Sequence, residues 1–447
     1  MANILVVGGR KSGVYAAILA KKLGNSVFLT EKSENEETLH FKKLLDDNGI
    51  QYEIGRHSFD KIHEFDLAVL SPGVPLDSEI VKFIREKGIS YIGEMEFAYR
   101  QSLKTSIIAV TGTNGKSTTT ALIGYIFSDL NSVTGGNLGT PFSALLLENP
   151  SPEFAILETS CFQLESIEKY HPHIVVFLNF TEDHLDRYSS MTEYFNAKKR
   201  IFTNQNESDF AIFNYDDPVV KELSNETKAK DYYFSVSKKV PRGAYLNDSR
   251  EIFFVDEMKE EILFPRGSIQ LIGIHNVQNV LASVIVAKLS GLNNELIRQK
   301  IESFNGLQHR LEKVKEINGV LYINDSKSTT PDSTIVALNS FERPIILIAG
   351  GSSKNNDFSE LAKLFPEKLK KLILIGQTAR EIGDAAVRAG FGEFVYALSL
   401  KEAVAIAKNN SSKGDIVLLS PACASFDMFS DFEDRGEQFK MIVESLE

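Results

Sequence analysis

VTGTNGKSTTT, Val110 to Thr120, is the stretch whose reading decides what kind of chain this is. The apolar run Ile107–Val110 before it reads as a buried strand and ALIGYIF after it as helix, so the glycine-rich segment is a strand-to-helix turn. At such a turn backbone N–H groups and the positive end of a helix face an anion, and a lysine adds a point charge. The usual phosphate loop reads Gly, four residues, Gly, Lys, Ser/Thr. Here Gly112 and Gly115 enclose only Thr113 and Asn114, and Val110 stands where the first Gly would be. The shortening changes the cradle but leaves the anion hole. Gly112, Thr113, Asn114, Gly115, Lys116, Ser117 and Thr118 are therefore expected to hold nucleotide phosphates, with a hydroxyl of Ser117 or Thr118 on a phosphate-bridging Mg²⁺.

The same grammar recurs along the chain. Short apolar runs at Ile4–Val7, Val27–Leu29, Leu67–Leu70, Ala155–Leu157, Ile174–Leu178, Ile345–Ala349, Leu372–Ile375 and Ile416–Leu419 are each followed by small or polar residues and then a helical pattern. Continuous runs of this length suit strands buried on both faces of parallel sheets, which makes the fold α/β. They fall into three groups, read as three domains: 1–93, 94–306 and 307–447. The first and third are Rossmann-like. The middle one is phosphate-loop-like, with a patch from Asp231 to Gln270 where YYFSVS and EIFFV suggest added antiparallel hairpins.

A chain of 447 residues is too long for one core. With 49 Lys and Arg against 60 Asp and Glu, its net charge of -11 argues against a nucleic-acid partner. Two cysteines suit a reducing compartment. The start MANILVVGGRKSG lacks the pattern of a signal peptide, and no apolar run approaches the ~20 residues that cross a bilayer, so a cytoplasmic, membrane-free location is expected.

Other motifs sit at strand ends. GGRKSG, Gly8 to Gly13, opens a helix as a dinucleotide fingerprint does, but Arg10 replaces the middle glycine. With Lys11 and Ser12 it suits a nucleotide-sugar diphosphate better than NAD, and Glu31 is a loose match for a ribose-binding acid. Glu158 ends one strand, and TEDHLDRY, Thr181 to Tyr188, gathers Glu182, Asp183, His184 and Asp186 after another. Oxygen donors with one imidazole suit Mg²⁺ rather than Zn²⁺. In the third group INDSKSTTPDS, IAGGSSKNNDF and LLSPACASFDMFSDFEDRG run into polar loops where Asp325, Lys327 and Lys354 are placed for a charged ligand and Ser425 and Phe432 for the lining of a small pocket. Cys423 reads as a packing residue.

Together, TGTNGKST, GGNLG (Gly135 to Gly139), TEDHLDRY, NAKKRIF (Asn196 to Phe202), HNVQN (His275 to Asn279), HRLE (His309 to Glu312), INDSKST and LSPACASFDMF resemble the Mur ligase family of ATP-dependent amide-forming enzymes, across all three groups. The resemblance implies a reaction. ATP phosphorylates the carboxylate of UDP-N-acetylmuramoyl-L-alanine, and the amine of D-glutamate displaces the phosphate. It also implies roles: Lys116 on the transferring phosphoryl group; Glu158 and Ser117 on one Mg²⁺; His184 on a second Mg²⁺ and on substrate. Asn279 would meet the ATP base, Arg310 its phosphates and Asp325 its ribose. Lys327, Thr329, Lys354, Ser425, Phe426 and Phe432 would line the D-glutamate pocket. Asn137 would contact the muramoyl-alanine portion, and Lys11, Ser12, Thr30 and Ser71 the uridine diphosphate. In NAKKRIF the family carbamoylates one lysine with CO₂ as a ligand for the second Mg²⁺, and anchoring on Arg200-Ile201 selects Lys198. A monomer is expected. Another amide ligase of the same architecture, acting on a different amino acid or a folate, and a phosphate-loop ATPase switch module remain the alternatives.

Overall fold

The computed structural model describes the whole chain apart from residues 63, 184–186, 258, 354–355 and 447. The chain forms two compact units: Met1–Ile269 with Val277–Phe304, and Gln270–Asn276 with Asn305–Glu447. The helix Ile274–Leu289 is shared out between them, its first turn in the second unit and the remainder in the first.

The first unit carries two sheets. Strands β1 (Asn3–Val7), β2 (Ser26–Glu31), β3 (Gln51–Ile54), β4 (Leu67–Leu70) and β5 (Ser90–Gly93) form a parallel sheet in the order β3-β2-β1-β4-β5. The order reverses at β1, and in open sheets of this kind ligands bind beyond the strand carboxyl ends at that point. Nine further strands make the second sheet: β6 (Ser106–Thr111), β7 (Ser132–Gly136), β8 (Phe154–Glu158), β9 (Ile174–Phe177), β10 (Phe210–Asn214), β11 (Lys230–Ser235), β12 (Gly243–Leu246), β13 (Glu251–Asp256) and β14 (Lys259–Pro265). Their order is β14-β13-β12-β11-β10-β9-β6-β8-β7. Val110, Val176 and Leu157 are fully buried here because helices cover both faces. One core joins the sheets, running from Val14 and Ala17 through Met95 to Phe142 and Leu145.

The hairpin expectation holds for EIFFV and fails for YYFSVS. β13 is antiparallel to β12 and β14, but β11 is parallel to both β10 and β12. Alternation in YYFSVS reflects an interior strand whose residues alternate between buried and half-buried over Tyr232 to Phe234, not a change of direction.

The second unit holds β15 (Glu312–Ile317), β16 (Val320–Asn324), β17 (Ile345–Ala349), β18 (Leu369–Leu374), β19 (Phe394–Tyr396) and β20 (Ile416–Leu419), ordered β15-β16-β20-β17-β18-β19. The β15–β16 pair is antiparallel and the other named strand pairs are parallel. Among the described residues no helix is long and apolar enough to cross a membrane.

Candidate active site

The turn after β6 is held open by its neighbours. Gly112 has φ +144° and Gly115, which caps the helix Lys116–Ile126, has φ +83°, backbone that side chains rarely adopt. A Cβ on Gly115 would also lie 2.5 Å from Asn279 Oδ1. Asn279 therefore packs directly on the loop. Asn179, just past β9, pins the loop from the other side: its Oδ1 accepts from the N–H of Thr113 (3.1 Å) and Asn114 (2.8 Å), and its Nδ2 donates to Asn114 O (3.0 Å). Its place just past a strand's carboxyl end is the signal the sequence carries for Asn179. Lys116 folds back so that Nζ donates to Gly112 O (3.0 Å) and Thr113 O (2.7 Å).

Lys198 reaches the same carbonyl. It lies in the helix Met191–Lys199, is 1% exposed, and donates to Gly112 O at 2.9 Å with its ammonium 4.8 Å from the centre of the Tyr194 ring. Burial, with Lys116 nearby as the second cause, lowers its pKa from 10.5 to about 8. Lys199 turns the other way and pairs with Glu226.

Glu158 ends β8 beside the loop. It is 3% exposed; Oε1 accepts from Asn137 Nδ2 at 2.7 Å, and Oε2 has no hydrogen-bond partner among the described residues. A buried carboxylate oxygen so placed next to an anion hole fits a hard cation. Among the described residues no group of three His, Cys, Asp or Glu forms a metal cage. His184 lies outside the described residues.

A cavity of about 550 Å³ opens at the switch point of the first sheet. Lys11, Ser12, Lys32, His57, Ser71 and Asn137 are among the residues that line it. Thr30, fully buried, stands off the cavity wall. Glu31 is already engaged by the main chain: Oε2 accepts from Gly9 N–H (2.6 Å) and Oε1 from Ser33 N–H (2.7 Å).

In the second unit three loops interlock at the carboxyl ends of β16, β17 and β20. Asp325 is 2% exposed, and its carboxylate accepts from Leu311 N–H (3.1 Å), Ser328 Oγ (2.5 Å) and Ser420 Oγ (2.7 Å). Burial nevertheless pushes it up to about 6. Its lone pairs thus fix the loop that carries Lys327 and Thr329. Lys327 Nζ stands 5.5 Å from the centre of the Phe432 ring. Ser425 is buried, whereas Phe426 is 70% exposed. Arg310 is half-buried in the same unit, and Lys354 lies outside the described residues. Arg435, unremarked in the sequence, is fully buried and braces the loops, donating to Ser326 O (2.8 Å), Ser326 Oγ (2.9 Å) and Cys423 O (3.1 Å). Cys423 is buried, and its thiol is pushed up to about 11 by burial.

Three mainly parallel sheets, a phosphate loop with a cation-ready carboxylate and a separate nucleotide-sized cavity define a phosphate-loop α/β enzyme with more than one substrate site. The Mur ligase middle domain matches residues 110–287, the Mur ligase glutamate ligase domain 309–423, and the MurD N-terminal domain 5–80. UDP-N-acetylmuramoylalanine–D-glutamate ligases from Thermoanaerobacter sp. (strain X514) and Clostridioides difficile (strain 630) are 42% and 40% identical to it, each over 99% of this chain and 98% of their own. Among solved structures, UDP-N-acetylmuramate-alanine ligase MurC from Thermotoga maritima superposes with a TM-score of 0.60 at 21% identity, over the whole of both chains. MurF from Acinetobacter baumannii gives 0.62 at 18%, over 93% of this chain and 91% of that one. The chain belongs to the Mur ligase family and is a three-domain ligase with a MurD-type first domain.

Proposed function

We propose that this protein joins D-glutamate to UDP-N-acetylmuramoyl-L-alanine, driven by ATP, as a monomer in the cytoplasmic assembly of peptidoglycan precursors for growth and division. The observation that carries the reading is the end-to-end match, at 42% and 40% identity, to ligases of that name. A carboxylate is a poor electrophile, so an oxygen of the substrate carboxylate first attacks the γ-phosphorus of ATP and ADP leaves. The amine of D-glutamate then attacks the acyl carbon of the resulting acyl phosphate, and phosphate departs with the bridging oxygen as the amide forms. The protein's part is positioning and charge neutralisation.

N–H groups from Gly112 to Thr118 and the Lys116 ammonium meet the phosphates, with Asn279 and Arg310 as further ATP contacts. Asp325 keeps a ribose contact only through whatever acceptor capacity its three internal bonds leave. Asn137 steers the muramoyl-alanine end toward Glu158, and Lys11, Ser12 and Ser71 take the diphosphate. Lys327, Thr329, Lys354, Ser425, Phe426 and Phe432 receive D-glutamate. Glu158 and Ser117 would hold one Mg²⁺, and His184 and a carbamate on Lys198 a second. When bound, these ions neutralise phosphoryl charge. The carbamate suits Lys198 because its buried amine faces the loop, whereas Lys199 is paired outward. Attack of the neutral amine on CO₂ forms the N–C bond and releases a proton.

The test is phosphate release with ATP, Mg²⁺ and UDP-N-acetylmuramoyl-L-alanine. Release that requires D-glutamate and ignores L-glutamate is expected. Dependence on a different amino acid would move the chain to another ligase activity, and hydrolysis indifferent to any amino acid would leave a switch ATPase.

A further inference from the structure

At the far end of the first-sheet cavity, Thr30, Glu53 and His57 form a small polar chain. Thr30 Oγ1 lies 2.9 Å from Glu53 Oε1, 2.7 Å from His57 Nδ1 and 3.4 Å from Arg56 O. Glu53 Oε1 also accepts from Ser58 N–H at 2.7 Å. The hydroxyl has one proton. A carboxylate and a carbonyl only accept, while a neutral imidazole nitrogen takes either part. Donation from Thr30 to His57 would leave its oxygen facing the carboxylate lone pair to lone pair at 2.9 Å. The hydroxyl therefore donates to Glu53 and accepts from His57 Nδ1–H. Burial keeps the ring less basic than an ordinary histidine. That fixes the tautomer: Nε2, which has no hydrogen bond to the described residues, carries a lone pair on the cavity side of a ring that lines the cavity.

The cavity's layout says what meets that lone pair. The phosphate end is at Lys11 and Ser12, where the helix Lys11–Lys22 begins after β1. Asn137, bonded to Glu158, marks the end toward the chemistry and takes the sugar and its acyl chain. The nucleoside is left the opposite end. His57 follows β3, two strands from β1, and with strands about 4.8 Å apart that is roughly 10 Å, the reach of a nucleotide from phosphate to base. Glu31, the acid at the end of β2, already accepts from the main chain on both oxygens.

We propose that His57 Nε2, set by Thr30 and Glu53, accepts the imide N3–H of a uracil base and is the residue by which this protein selects uridine over cytidine nucleotides. Cytosine presents a lone pair at N3, so two acceptors would face each other. The inference rests on reading this cavity as the uridine-diphosphate site.

The test is calorimetric titration of the full-length protein with UDP, CDP and 3-methyluridine 5′-diphosphate, the ATP site being filled with a non-hydrolysable analogue. Wild type is expected to bind CDP and the N3-methylated probe about 10- to 100-fold more weakly than UDP. In His57→Phe the three should converge to within about threefold, UDP itself still binding. Thr30→Val, which frees the tautomer and leaves the ring in place, should narrow the gap in the same direction. If wild type binds UDP and either variant keeps the full preference, the role of His57 is overturned while the cavity assignment stands. If wild type does not bind UDP, both fall.

Discussion

Two glycine-rich turns in the first unit join a strand to a helix, Gly8–Arg10 before Lys11 and Gly112–Gly115 before Lys116, and they have been put to different uses. Each opens on a glycine at positive φ, +112° and +144°, and each helix begins on a lysine. In the second turn Gly115 is left-handed, Asn179 pins the loop, and Lys116 curls over the loop carbonyls. In the first turn Arg10 is extended, Glu31 occupies Gly9 N–H, and Lys11 is exposed on a wide cavity. On the proposed reading, that turn offers a helix N-terminus to an anion and leaves most recognition to the walls. Gly and Lys at a strand-to-helix turn specify an anion; the residues around the turn specify the molecule that carries it.

The largest separation of the two turns should come from Lys116→Ala. Turnover is expected to fall at least about 10³-fold, with affinity for UDP at the first turn within about twofold of wild type. Loss of both together would mean the turns do not act separately. Gly13→Ala attacks the first turn instead. The added Cβ would lie 1.9 Å from Gly8 O and 2.6 Å from Ser71 Oγ, so the turn must move. We expect KM for the UDP-linked substrate to rise about tenfold or more, stability to fall about 1–3 kcal/mol, and nucleotide affinity at the second turn to hold.

Lys198 tests what burying an ammonium, with Lys116 nearby, costs the second turn. Its pKa is lowered from 10.5 to about 8, so between those values the unfolded chain binds more protons than the folded one. Stability contributed by this group therefore rises with pH across that window, and below it the buried charge costs on the order of 2–3 kcal/mol. In the absence of nucleotide and CO₂, Lys198→Met should resist urea better than wild type at pH 7, with the difference closing by pH 10.5. An unchanged difference across that range would contradict the assignment. With substrates and CO₂ present the same variant should be inactive, and Lys198→Ala should regain partial turnover with a short-chain carboxylic acid. The smallest effect belongs to its neighbour: Lys199→Ala breaks a partly exposed pair with Glu226 and a contact with the Phe195 ring, and about 0.5 kcal/mol and an activity change within twofold are expected.

Much of this was legible in the sequence because the signals are local. Buried parallel strands announce themselves as apolar runs, and each of the nine quoted runs falls on a strand of the structure, give or take a residue at the ends. The loop at Gly112–Ser117 is contiguous, so its spacing alone pointed to the strand-to-helix turn that the structure shows. YYFSVS misled because alternation reports which face is covered, not strand direction. Residues brought together across long separations escaped: Asn179 acts on Thr113 and Asn114 from 66 and 65 residues away, and Arg435 on Ser326 from 109. The polar chain at His57 escaped for a different reason, since its meaning lies in which atom owns a proton.

The central claim is that the phosphoryl group held at Gly112–Ser117 passes to a carboxylate. It is tested most directly by running the reaction on UDP-N-acetylmuramoyl-L-alanine labelled with ¹⁸O in that carboxylate. Transfer through an acyl phosphate predicts that each phosphate released with D-glutamate carries one oxygen from the substrate. Phosphate free of the label, formed at the same rate as the amide, would contradict the account.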